Sequence, residues 1–220
     1  MRVPCFIEMI RYVLFDVAGT LLEKPGLFPA IQEACRESGH KRSVGEIRTK
    51  HRMLSEISHF PDRTDKSFYR RFNQDLLYLL GIVPNSTLVN AIITKCQKLA
   101  WKPFPDTTAL KSFPLPIGVI SNFNSTLRSK LKKSFGNIFH HILVSEETGL
   151  SKPDLRFYEK AVRKIPFPPE RILYIGDSLK LDYEPASKLG FRALLLDRSN
   201  FYPNLKNKIS HLREIRRFVS

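Results

Sequence analysis

Two hydrophobic rhythms divide this chain. MIRYVLF at 9–15, PIGVIS at 116–121, HILVS at 141–145, RILYI at 171–175 and RALLL at 192–196 are short, nearly unbroken apolar runs bounded by turn residues. Runs of this length that do not alternate with polar residues read as strands buried on both faces, the condition of a parallel sheet. Between the later runs lie stretches with helical spacing: STLRSKLKKSF, LRFYEKAVRKI and DYEPASKLG. Strand and helix in repeated alternation predict an α/β fold, a doubly wound, Rossmann-like parallel sheet.

Residues 24–105 follow the other rhythm. Phe68, Phe72, Leu76 and Leu80 recur at helical spacing, and 27–35, 44–57 and 88–99 suit amphipathic helices. Pro25-Gly26, Pro61-Asp62 and Pro84-Asn85 punctuate them, and Pro103 with Pro105 closes the block. The pattern predicts two domains: an α/β core formed by 1–23 and 106–220, and an all-helical domain inserted at 24–105.

Composition narrows the class. The chain has 220 residues, enough to bury a sizeable core. It holds no apolar run of eighteen residues, so the sequence predicts no membrane-spanning helix. MRVPCFIEMIR, cut by Glu8 and Arg11, reads as a strand extension rather than a signal peptide. Cys5, Cys35 and Cys96 are odd in number, far apart and without a CxxC pair, which argues against a disulfide framework or zinc site. A reducing, cytoplasmic location is the expectation. The net charge of +15 is spread along the chain with no nucleic-acid-binding signature, so it predicts a diffusely basic surface rather than a nucleic-acid partner. Within 36–71 there are ten Lys/Arg against five Asp/Glu, a balance that suits an anionic small substrate. The pattern leaves oligomeric state open.

The candidate chemistry lies where the predicted strands end. Asp16 in FDVAGT, Ser121 in VISNFN, Lys152 in GLSKPD, and Asp177 with Asp182 in IGDSLKLD all stand at or just beyond a strand's carboxyl end or in the loop that follows. Open parallel sheets line their ligand crevice with these ends. The topology therefore gathers two or three carboxylates, a hydroxyl and a lysine. Clustered carboxylates repel unless a hard cation such as Mg²⁺ neutralises them. Asp16 could then serve as a nucleophile, with Lys152 offsetting charge and Ser121 holding non-bridging oxygens.

These four motifs, in this order and spacing, resemble the haloacid-dehalogenase-like (HAD) hydrolase superfamily, in the class with a helical cap inserted after the first strand. The likeness runs from about residue 9 to 197. SNFNSTLRSKL, SEETGLSKPDLRFYEKA and GDSLKLDYEPASKLG are most similar to relatives of the rhythmically expressed dehalogenase-like protein. The resemblance implies that Asp16 is the nucleophile and Thr20 orients it through its hydroxyl. Ser121 and Asn122 would bind phosphate, with Asn124 close by. Lys152 would balance charge. Mg²⁺ would be held by Asp16, the Ala18 carbonyl and Asp177, with Asp182 in support.

Ala18 departs from the family's phosphatase pattern, DxDxT, whose second aspartate protonates the leaving group and then activates water. Losing a general acid/base costs about 10² to 10⁴ in rate. An alanine there fits a phosphatase for leaving groups that need no proton, a hydrolase of another bond, or a catalytically quiet protein that binds a ligand or partner. Phosphonoacetaldehyde hydrolases, which form a Schiff base through a cap lysine, resemble the chain at this spot. Lys50 is the best-placed candidate by sequence, against the ordinary role of a lysine in a basic stretch as a solvated charge. A dehalogenase should carry tyrosine at 18 and an arginine soon after, and 21–35 has none. The expectation is a hydrolase of weakened or altered activity on a small, phosphorylated anion. Trp101 reads as a core aromatic near the returning linker, and the six histidines show no metal spacing.

Overall fold

The computed structural model describes residues 9–59 and 65–219. The Pro61-Asp62 punctuation, Cys5 and most of the N-terminal strand extension lie outside them. The chain divides into two compact units: one reaches Leu22 and resumes at Pro103, and the other is Glu23–Lys102.

The first unit is built on a six-stranded sheet. Its strands are β1 (Tyr12–Phe15), β4 (Ile117–Ser121), β5 (Phe139–Val144), β6 (Ile172–Gly176), β7 (Arg192–Leu196) and β8 (Lys208–Ile209). Their order is β5-β4-β1-β6-β7-β8, and every pairing is parallel. Strands β1, β4 and β6 are buried along their whole length, as their unbroken apolar runs require. Sheet order reverses around β1, which puts a crevice at its carboxyl end.

Helices α5 (Leu127–Phe135), α6 (Ser145–Thr148), α7 (Leu155–Val162) and α8 (Glu184–Lys188) connect the strands, with α9 (Arg216–Val219) after β8. Phe157, Tyr158 and Ala161 of α7 pack with Tyr12, Leu14, Ile120 and Tyr174 of the sheet.

Three details differ from the hydrophobic pattern. β1 begins at Tyr12 rather than Met9. The 182–190 helix is split, with a π-helical turn over Leu179–Tyr183 preceding α8. Strand β8 was not apparent, because two residues are too short to show a period.

The second unit is helical: α1 (Leu27–Glu37), α2 (Val44–Ile57), α3 (Lys66–Leu79) and α4 (Ser86–Gln97). Phe68, Phe72, Leu76 and Leu80 are all buried, in one core with Ile31, Ile47, Leu54 and Leu88. Ser43, Asp65 and Asn85 cap α2, α3 and α4 by accepting the backbone N–H of Glu46, Phe68 and Leu88 at 3.0, 2.8 and 2.9 Å. Cys35 is buried in this core and Trp101 is half-buried with the Lys24 ammonium 5.3 Å from its ring centroid. The strands β2 (Leu22–Glu23) and β3 (Lys102–Pro103), where the chain leaves the α/β unit and returns, pair with one another. Among the described residues no helix is long and apolar enough to cross a membrane.

Candidate active site

Asp16 follows β1 directly, and its own N–H is tied to the Ile175 carbonyl of β6 at 2.8 Å. The next residues form a tight turn. The N–H groups of Leu21 and Leu22 both reach the Val17 carbonyl at 2.8 Å, and Gly19 N–H reaches the Leu22 carbonyl at 2.8 Å. Gly19 has a φ of +92°, and a Cβ there would lie 2.4 Å from Asp177 Oδ2. Only glycine combines that conformation with so close an approach of the acid. A Cβ on Gly176, at the end of β6, would lie 2.2 Å from Asp182 Cγ. Both glycines of the motifs therefore make room for carboxylates.

Lys152 comes to this point from the loop after α6. Its ammonium donates to Asp16 Oδ1 and to Asp182 Oδ1, each at 2.6 Å. All three residues are buried. Asp182 stands in the π-helical turn and is further held by the Tyr174 hydroxyl on Oδ1 at 2.8 Å and by Ser178 N–H on Oδ2 at 3.1 Å. Oxygen atoms of Asp16, Asp177 and Asp182 all lie within 4.8 Å of one another.

The electrostatics follow from burial. Loss of water raises the Asp16 carboxyl to about 6; Lys152 opposes this and the Asp182 charge adds to it. Burial pulls the Lys152 ammonium down, but the Asp16 and Asp182 carboxylates outweigh it, so the lysine stays charged. Burial, then the neighbouring Asp182 carboxylate, pushes the Tyr174 phenol well above its ordinary range, which keeps it a neutral donor. Two carboxylates share one lysine here, and Asp177 brings a third acid.

Among the described residues, three buried polar atoms in this region have no hydrogen-bond partner: Asp16 Oδ2, Thr20 Oγ1 and Ser121 Oγ. Buried polar atoms are nearly always satisfied, so three orphans at strand ends and in the adjoining turn mark a place for ligand atoms. The oxygen-only donor set of Asp16, Asp177 and Asp182 fits a hard divalent cation such as Mg²⁺.

The structure thus brings Asp16, Lys152, Asp177 and Asp182 together, with Thr20 and Ser121 at the ends of the adjacent turn and strand. Thr20 Oγ1 makes no hydrogen bond to Asp16. The Asn122 carboxamide accepts the Lys152 N–H at 2.7 Å and donates to the Lys152 carbonyl at 2.9 Å. Asn124 is exposed and turns back on Thr126 N–H at 3.2 Å. Lys50 is half-buried on α2. Tyr174, Asp106 and Arg198 were not apparent from the sequence. A tyrosine inside a buried strand reads as core, and a lone Asp and Arg far apart in the chain give no spacing signal.

A haloacid dehalogenase-like hydrolase family model matches residues 10–190. The chain is 26% identical over 210 residues to a glyceraldehyde 3-phosphate phosphatase of Methanothermobacter thermautotrophicus, covering 86% of each chain. It is 31% identical over 221 residues to an (S)-2-haloacid dehalogenase of Pseudomonas fluorescens, covering 92% of each. Among solved structures, the magnesium-bound HAD-hydrolase YfnB from Bacillus subtilis superposes with a TM-score of 0.70 at 21% identity, over 96% of this chain and 99% of that one.

Proposed function

The chain belongs to the haloacid dehalogenase-like hydrolase family, and on that premise we propose that it hydrolyses a small phosphorylated anion with Mg²⁺, through a phosphorylated Asp16. The observation that carries this reading is the trio of unpartnered buried oxygens, Asp16 Oδ2, Thr20 Oγ1 and Ser121 Oγ, beside a carboxylate cluster bridged by Lys152. Hydroxyls suit the non-bridging oxygens of a phosphoryl group, and three carboxylates call for a hard cation. The phosphatase relative, similar over most of its length, points the same way.

In this mechanism Asp16, the Ala18 carbonyl and Asp177 would hold Mg²⁺, with Asp182 in support. A cation there would supply neutralisation of the charge on the carboxylates and the phosphoryl oxygens. The Asp16 carboxylate forms a bond to phosphorus while the bond to the leaving oxygen breaks, and that oxygen departs with the electron pair. Lys152 keeps Asp16 ionised and in place, and Asn122 keeps Lys152 in place. Water then attacks the phosphorylated Asp16, releasing inorganic phosphate and a proton and restoring the carboxylate. Ala18 has no proton to give, so the leaving group departs as the anion. The basic balance of the helical unit suits an anionic substrate.

Dehalogenation is the weaker reading, because position 18 carries no tyrosine and 21–35 no arginine. The test is phosphate release from a panel of phosphorylated compounds, with and without Mg²⁺, for wild type, Asp16→Asn and Ala18→Asp. Mg²⁺-dependent release that stops in Asp16→Asn supports the reading. Halide release from 2-haloacids without phosphate release from any member of the panel sinks it.

A further inference from the structure

The turn that carries Ala18, Gly19 and Thr20 is secured from two sides. Its N–H groups are taken up within the turn by the Val17 and Leu22 carbonyls. Its carbonyls face a residue 179 and 178 positions away: Arg198 donates Nη1–H to the Gly19 carbonyl at 2.8 Å and Nη2–H to the Thr20 carbonyl at 2.9 Å. The other edge of the guanidinium meets Asp106, through Nη2 to Oδ1 at 2.9 Å and to Oδ2 at 3.2 Å and through Nε to Oδ2 at 3.3 Å. The Phe104 ring contacts the guanidinium, its centroid 3.8 Å from Cζ. Asp106 Oδ2 also accepts Leu212 N–H at 3.1 Å, with His211 Nδ1 at 4.0 Å.

We propose that Arg198, aligned by Asp106 and Phe104, is a positioning residue that sets the peptide planes of the nucleophile turn, and through them the Ala18 carbonyl and the Thr20 hydroxyl. Carbonyls in a turn that is largely shielded from water need partners, and here two consecutive ones find theirs in a single side chain. Only a guanidinium offers two parallel donors to the turn and a second edge to a carboxylate at once. Asp106 pairs the half-buried guanidinium, so the clamp holds the turn without leaving an unpaired cation beside it. Phe104 adds a cation–π contact that holds the guanidinium beside the turn. A lysine at 198 keeps the charge and the reach but loses the fork.

The rival account is a plain ion pair joining the segment after β7 to the chain returning at Pro103. It predicts a loss of stability and nothing specific at the turn.

Two readouts separate the accounts in the full-length chain. The first is amide hydrogen exchange in Arg198→Lys, compared with wild type. The clamp predicts at least tenfold faster exchange at Gly19, Thr20, Leu21 and Leu22, with the amides of β4 and β6 unchanged. The second is Mg²⁺ affinity by titration calorimetry, and it rests on the hydrolase reading. The clamp predicts about a tenfold weaker dissociation constant, because the Ala18 carbonyl loses its orientation. Asp106→Asn keeps the shape of the carboxylate and should give a smaller change in the same direction, which keeps the test open should Arg198→Lys not fold. Exchange within twofold of wild type at the turn in both variants, or faster exchange spread evenly over the sheet, overturns the proposal. If wild type binds no Mg²⁺, the metal reading falls while the exchange result still decides the clamp.

Discussion

Asn122 and Lys152 are locked together by their main chain and side chain: one carboxamide both accepts from Lys152 N–H and donates to Lys152 C=O. The loop that presents the lysine therefore has its position set from the end of β4. Lys152 must reach two carboxylates at 2.6 Å, so a small displacement of its backbone breaks at least one contact. Asn122→Ala should lower kcat by about tenfold or more, in keeping with the sensitivity of catalysis to misplacement. Losing two hydrogen bonds should also cost about 1 to 3 kcal/mol of stability. Asn122→Asp retains the acceptor and should fall between. Phosphate release and thermal unfolding of the three proteins provide the check, and an unchanged kcat in Asn122→Ala would remove the positioning role.

Asp182 separates two kinds of damage. Tyr174→Phe removes one donor from Oδ1, yet Lys152 and Ser178 N–H still hold the carboxylate. Gly176→Ala instead places a Cβ 2.2 Å from Asp182 Cγ, a distance no rotamer adjustment of alanine relieves. The expected ranking is a few-fold rise in the Mg²⁺ half-saturation for Tyr174→Phe, and loss of Mg²⁺-dependent activity for Gly176→Ala. Mg²⁺ titrations of activity test the order. Equal behaviour of the two variants would show that access to Asp182 is not what Gly176 protects.

These relationships mark how far the sequence could be read. The strands that were unbroken apolar runs, and the α3 repeat of Phe68, Phe72, Leu76 and Leu80, were visible because burial on whole faces repeats along the chain. Asp16, Lys152, Asp177 and Asp182 stood out because each closes or follows such a run, and parallel topology gathers those ends. Arg198 and Asp106 gave no such signal. Their meaning lies in carbonyls of a turn far away in sequence, and hydrogen bonds to backbone leave no periodicity. The hold of the Asn122 carboxamide on the Lys152 main chain is hidden for the same reason, since it too is a hydrogen bond to backbone. Tyr174 hid inside β6, where an aromatic looks like core.

His51 in α2 predicts a pH dependence of the fold. Its ring sits between Phe28 and Phe72, with centroids 5.4 and 5.0 Å away, and burial lowers its pKa to about 4. An unfolded histidine titrates near 6.5, so below that pH the unfolded chain binds a proton that the folded chain refuses. Stability from this group is complete above about pH 6.5 and is lost as pH falls toward 4. The slope approaches at most about 1.4 kcal/mol per pH unit. His51→Gln should flatten that part of the profile. Thermal melts of both proteins between pH 7 and 4.5 measure it, and parallel curves would show that the ring is protonated without penalty.

Ala18 predicts a leaving-group rule. A positioned acid shields the rate from the basicity of the departing oxygen, because the proton is transferred as the bond breaks. Without one, the oxygen leaves as an anion, and each increase in its basicity slows the step. Wild type should therefore hydrolyse acyl and aryl phosphates far faster than alkyl phosphates, with log(kcat/KM) falling steeply against leaving-group pKa. Ala18→Asp should flatten that line, chiefly by raising the alkyl esters, by about 10² to 10⁴ if the carboxyl reaches the oxygen. The backbone carbonyl at 18 is the same in both proteins, so Mg²⁺ affinity should stay close. A series of phosphate compounds graded in leaving-group pKa, run on both proteins at saturating Mg²⁺, measures the slopes. A flat line in wild type would mean that another group supplies the proton, and the chemistry assigned to Ala18 would have to be abandoned.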